Sequence, residues 1–129
     1  MLEACQEVGA TLVAYSPLCQ GLLSGKYSAA SPPTGPRRAF FTDSRFSEIS
    51  TLLDLLRKIG EERSKSPTQV ALNWTLCKDV LPIPGAKSAA QVQELAGALG
   101  WRLSGGEVAE LDAISAKIPS SSGAPFEKW

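Results

Sequence analysis

Two short segments carry the residues best able to do chemistry, Tyr15-Ser16-Pro17-Leu18-Cys19-Gln20-Gly21-Leu22-Leu23-Ser24-Gly25-Lys26-Tyr27 and Ile83-Pro84-Gly85-Ala86-Lys87-Ser88. Each combines small residues, which let backbone N–H groups approach a ligand, with a lysine that adds positive charge. Such a pairing suits phosphate, and the second segment runs into a capped helix whose N-terminus favours anions. A Gly-Ala-Lys turn is equally what an ordinary strand-to-helix connection looks like, so the residues alone leave both readings open. Other chemistries are excluded by composition. Histidine is absent, which removes imidazole-based triads, Cys-His nucleophiles, His metal ligands and imidazole proton shuttles within this chain. The three cysteines, Cys5, Cys19 and Cys77, are odd in number and widely spaced, fit neither a zinc knuckle nor a redox couple, and read as reduced thiols. Thirteen basic and thirteen acidic residues cancel. A neutral chain has no bulk attraction for nucleic acid or anionic lipid, so any phosphate must be held by a local site.

The elements that must position these segments follow from periodicity and capping. With 129 residues, 43% hydrophobic and 20% charged, the chain reads as one ordinary globular domain. Residues 2–8 look like a helix closed by Gly9, and residues 10–15 like a strand. That strand is apolar on both faces, as a parallel strand covered by helices would be. Residues 16–38 are rich in Gly, Pro and Ser and predict a long loop of the kind that is functional or disordered. Helical periodicity returns at Ile49, Leu52, Leu53, Leu56 and Ile59, with Gly60 expected to weaken the end. Ser66-Pro67-Thr68-Gln69 is a capping box opening a helix with Val70, Ala71, Trp74 and Cys77 on its buried stripe. Residues 80–83 form a short strand candidate, against which Pro82 counts because it lacks a ladder donor. Ser88 to Gln91 is a second capping box, leading into Val92, Leu95, Ala96 and Leu99. Ser104 to Glu107 is a third, with Val108, Leu111 and Ile114 behind it. Residues 119–129 form a tail expected to be mobile unless Phe126 and Trp129 dock. Trp74 and Trp101 read as packing residues.

This order is α/β alternation with two visible strands. Two parallel strands leave both edges unpaired and cannot cover five helical segments, so the chain resembles part of something larger. No apolar run is long enough to cross a bilayer, and the first residues, which include Glu3, lack the basic start of a secretory signal. A soluble, reducing setting is expected.

At both segments the sequence resembles the aldo-keto reductases, NADP-dependent eight-stranded barrels that reduce carbonyls to alcohols. Residues 15–27 are similar to the family's segment after the seventh strand, and residues 83–94 to its signature after the eighth. Pro33-Thr34-Gly35-Pro36-Arg37 and Ala98-Leu99-Gly100-Trp101-Arg102-Leu103 also resemble the plant, algal and cyanobacterial branch. The resemblance implies the C-terminal part of a (β/α)8 barrel over residues 1–129, in the cytosol or a chloroplast and not secreted. It implies NADP(H) as cofactor and a small carbonyl compound as substrate, with no nucleic-acid or membrane partner. By position, Tyr15 resembles the aromatic that stacks on the nicotinamide. Ser16, Pro17, Leu18, Cys19 and Gln20 resemble the stretch along the pyrophosphate. Lys26 and Arg37 resemble loop cations that reach phosphate. Gly85, Ala86 and Lys87 resemble the part that holds the 2′-phosphate, and Gln91 and Glu94 the adenine-side contacts. The family usually places Asn after that glutamate; here Leu95 offers no amide.

The family's proton-donating tyrosine, with its lysine, aspartate and histidine, comes from earlier strands and matches nothing in this sequence. The resemblance therefore implies much of a cofactor site without the acid that completes the reaction, and no carbonyl reduction by this chain alone. Two other readings stay open. One is a non-catalytic nucleotide- or partner-binding module, self-associating through its open strand edges. The other is a helical adaptor in which the barrel motifs are vestigial.

Overall fold

The structure, a computed structural model, describes residues 1–35, 38–39 and 41–119. Arg37 and most of the expected tail, residues 120–129, lie outside them. Along the chain run α1 (Leu2–Glu7), β1 (Val13–Tyr15), a 3-10 segment (Cys19–Ser24), α2 (Asp43–Arg63), α3 (Pro67–Cys77), β2 (Leu81–Ile83), α4 (Ala89–Ala96) and α5 (Gly105–Ser115).

β1 and β2 are parallel, with Val13 opposite Leu81, Ala14 opposite Pro82 and Tyr15 opposite Ile83. Both strands are shorter than the sequence suggested. Ala10 gives its N–H to Cys5 O at 2.8 Å, so the chain before β1 is tied to α1 instead of the ladder. Pro82 is accommodated because Leu81 N–H reaches Leu12 O at 2.9 Å. Successive N–H groups alternate sides, so the missing donor of Pro82 falls on the edge away from β1. The expected burial on both faces is not found. Ala14 and Pro82 are half-buried, while Val13, Tyr15, Leu81 and Ile83 share an exposed face.

The core is made of helices. Leu52, Leu53, Leu56 and Ile59 of α2 meet Val70 and Ala71 of α3, Leu111 of α5, and Leu22 and Leu23 of the 3-10 segment. Tyr27 packs edge-on against Phe41, with ring centroids 5.3 Å apart, so this loop tyrosine serves the core. α3 is the hub, touching α2, α4, α5, β2 and the 3-10 segment.

α2 starts six residues before its apolar stripe, at Asp43, because Thr42 caps it by accepting Arg45 N–H at 3.2 Å. Gly60 does not weaken its end. The helix runs to Arg63 and stops where Ser64 turns left-handed, with Lys65 N–H bonded to Gly60 O at 2.8 Å. A Cβ at Gly60 would collide with the carbonyl of Lys65, so glycine is there to let the chain return.

The capping boxes of Ser66/Gln69 and Ser104/Glu107 form as the sequence indicates. At Ser88 only half a box forms: Ser88 Oγ accepts Gln91 N–H at 3.3 Å, but Gln91 Oε1 turns back to Lys87 N–H at 2.6 Å. The expected apolar stripe of α4 is also not buried. Val92 and Leu99 are exposed and Leu95 half-buried, because α4 meets α3 through polar groups, and Ala98 and Leu103 enter the interior instead.

Candidate functional site

The parallel register decides the placement of the two candidate segments. With Tyr15 opposite Ile83 and both strands running the same way, the segments starting at Ser16 and Pro84 leave from one end of the ladder. Had the strands been antiparallel, the two turns would sit at opposite ends.

The first segment is a string of tight turns. Ser16 has φ +50°, and Cys19 and Gln20 have φ +48° and +59°. Left-handed backbone is costly for side chains with a Cβ and often marks a segment shaped for a ligand. Cys19 N–H bonds Ser16 O at 2.9 Å, and Leu18 O accepts both Gly21 N–H at 2.9 Å and Leu23 N–H at 3.2 Å. Leu18 also packs on the core cluster, which fixes the loop to the helices. Pro17 is half-buried beside it. Tyr15 holds 59% of its surface exposed, so its ring is available on the open sheet face. Cys19 reaches solvent, yet desolvation pushes its thiol pKa up, with Arg45 pulling the other way. A thiol kept neutral in this way is a poor nucleophile. Lys26 is exposed beside the Tyr27 ring, 5.7 Å from its centroid.

In the second segment Gly85, Ala86 and Lys87 are all exposed. A Cβ at Gly85 would meet nothing within 4 Å, so the space before this turn is open. Gln91 and Glu94, expected to act together on the adenine side, point to different partners. Gln91 closes on the Lys87 backbone. Glu94 accepts hydrogen bonds from Ser66 Oγ and, at 3.4 Å, from Gln69 Nε2.

Sequence reading missed three contributors. Ser66 and Gln69 were legible as a local cap, but their second duty to Glu94 spans 28 and 25 residues and leaves no local pattern. Asn73, buried to 1% exposure, sits where a helix stripe would put an apolar residue. Its Nδ2 donates to Ala98 O at 2.9 Å and Trp101 O at 2.8 Å, and its Oδ1 accepts Leu103 N–H at 3.0 Å. Asn73 thereby fixes the path from α4 to α5. Among the described residues no group of His, Cys, Asp and Glu could hold a metal, and no helix is long and apolar enough to cross a membrane.

Known proteins resemble this chain in both sequence and fold. The model of the Aldo/keto reductase family matches residues 1–116. Pyridoxal reductase, chloroplastic, of Arabidopsis thaliana is 43% identical over 117 residues, covering 91% of this chain and 32% of that protein. An aldo-keto reductase of Schizosaccharomyces pombe, whose name includes NADP(+), is 32% identical over 138 residues, covering 95% of this chain and 40% of its own length. Among solved structures, a glycerol dehydrogenase from Gluconobacter oxydans superposes with a TM-score of 0.80 at 28% identity, covering 97% of this chain and 40% of that one. The solved relatives are (β/α)8 barrels, of which this α/β chain with two parallel strands matches about a third. The chain thus spans well under half the length of these relatives, and it belongs to the aldo/keto reductase family.

Proposed function

We propose that this chain is the C-terminal, NADP(H)-binding portion of an aldo-keto reductase, an oxidoreductase that reduces a small carbonyl compound to an alcohol. The observation that carries the reading is the parallel register, which starts both phosphate-candidate segments at one end of the ladder. The residues there fit a dinucleotide. Lys26 and Lys87 are exposed cations, the space before Gly85 is open, and the Tyr15 ring is free on one face. Tyr15 would stack on the nicotinamide, and residues 16–20 with Lys26 would follow the pyrophosphate. Gly85, Ala86 and Lys87, at the start of α4, would hold the 2′-phosphate and so favour NADP(H) over NAD(H). Bound NADPH would supply the hydride. This chain's part is to bind and orient the cofactor, since nothing in it matches the family's proton donor.

Leu95 in the family's asparagine position and the engagement of Glu94 by α3 both weaken direct reading of adenine. The similarity to a chloroplastic plant protein, with the 98–103 motif, supports placement in the plant and algal branch. The test is titration of the chain with NADPH, followed by cofactor fluorescence. Lys87→Glu is expected to weaken binding at least tenfold, because it sets a carboxylate against phosphate. Unchanged affinity would remove Lys87 from the site. A steady-state assay with NADPH and a reactive aldehyde is expected to show no turnover; robust turnover would mean that the chain supplies its own acid.

A second reading, a partner-binding module, is favoured by the exposed face of Val13, Tyr15, Leu81 and Ile83 beside open strand edges. It expects self-association without any response to NADPH.

A further inference from the structure

α4 buries none of its residues and is only eight residues long, too short to be stable by itself. Its ties to the rest of the chain are largely polar, and they converge on the residues around the start of α3. Gln69 Oε1 accepts Ser66 N–H at 3.1 Å to close the capping box. That bond fixes the amide's orientation and turns Nε2 toward two acceptors, Glu94 O at 2.9 Å and Glu94 Oε2 at 3.4 Å. Ser66 Oγ donates to Glu94 Oε1, and Lys65 Nζ donates to Gly97 O at 3.2 Å. Gly97 has no room for a side chain, since a Cβ there would strike Gln69 Nε2. The same turn of α3 supports the other candidate segment, because a Cβ at Gly25 would lie 3.4 Å from Pro67 Cγ.

We propose that Gln69 is a positioning residue for the adenosine end of the cofactor site, acting through Glu94 to set how α4 presents Lys87. The inference rests on the NADP(H) reading above and adds to it a residue that touches no cofactor. Its physical basis is that a short helix without a buried apolar face takes its orientation from the directional bonds that hold it. Here those bonds sit at the end of α4 away from Lys87.

The test uses adenosine 2′,5′-bisphosphate, titrated into the full 129-residue chain by calorimetry, with urea unfolding recorded alongside. Gln69→Glu keeps the acceptor that the capping box needs but aims an oxygen at the carbonyl and carboxylate of Glu94. It is expected to weaken binding at least tenfold while the urea midpoint changes little. Adding Glu94→Gln restores a donor facing residue 69 and is expected to recover most of the affinity. Gly97→Ala displaces the Gln69 amide from the other side without adding charge; it carries the same expectation and serves should Gln69→Glu fail to fold. Binding by Gln69→Glu or Gly97→Ala equal to that of the unaltered chain overturns the inference and leaves the cofactor reading standing. So does a loss of affinity that only tracks a loss of stability and is not recovered in the double variant. No binding by the unaltered chain overturns the cofactor reading and this inference together.

Discussion

Asn73 shows how one polar side chain can decide a chain path. It is the most deeply buried polar residue among the described ones, and its amide serves three backbone groups of residues 98–103. Removing it leaves Ala98 O and Leu103 N–H buried without that partner, and Trp101 O partly so, a larger loss than that of the hydrogen bonds themselves. Asn73→Ala is expected to cost about 3 kcal/mol of stability, measured by urea unfolding; a change under about 0.5 kcal/mol would show that water replaces the amide. Asn73 was not legible in the sequence, because an asparagine on a helix normally reads as solvated. Trp74 and Trp101 were legible as packing residues. Their indole N–H groups are used structurally, toward Asp112 Oδ1 at 2.8 Å and Gly97 O at 3.0 Å.

At the scale of elements, Glu107 joins the end of α2 to the start of α5. It completes the Ser104 capping box and pairs with Arg63 through two bonds, Arg63 Nε to Oε1 at 2.7 Å and Arg63 Nη2 to Oε2 at 2.6 Å. The Arg63 hydrogen bond is the largest cause that holds the Glu107 carboxyl down at about 2, below its ordinary 4.5, with Ser104 adding to it. A carboxyl lowered on folding stabilises the folded chain above its unfolded pKa, and that contribution is lost as pH falls through the folded one. Stability is therefore expected to decline between pH 4.5 and 2 partly through this group. In Glu107→Gln the decline over that window is expected to be shallower, as read by unfolding midpoints at successive pH values. An unchanged slope would mean that other carboxylates set it. The Ser104 box was plain in the sequence, because capping is a relation between residues three apart. The bridge to Arg63, 44 residues away, was not.

For the whole molecule, the governing feature is a helical core beside a two-stranded sheet with one apolar face open. Ile83, 51% exposed on that face, should tolerate charge in the isolated chain. Ile83→Lys is expected to change unfolding free energy by less than about 0.5 kcal/mol and to reduce self-association, as measured by sedimentation equilibrium. A large destabilisation at a dilution where the chain is monomeric would mean that the Ile83 side chain is packed within the chain. The sequence by itself determined the α/β order, the α3 and α5 caps and the apolar stripe of α2, because these depend on periodicity and near-neighbour bonding. It also carried the family resemblance, and the arithmetic showing that two strands cannot cover so many helices. Only the tertiary structure decided that Gly60 is a crossing point, that Pro82 turns its missing donor away from β1, and that α4 is held by α3 instead of by its apolar stripe. Each of these depends on which distant group lies opposite a residue, and that is set by the packing of helices no local pattern specifies.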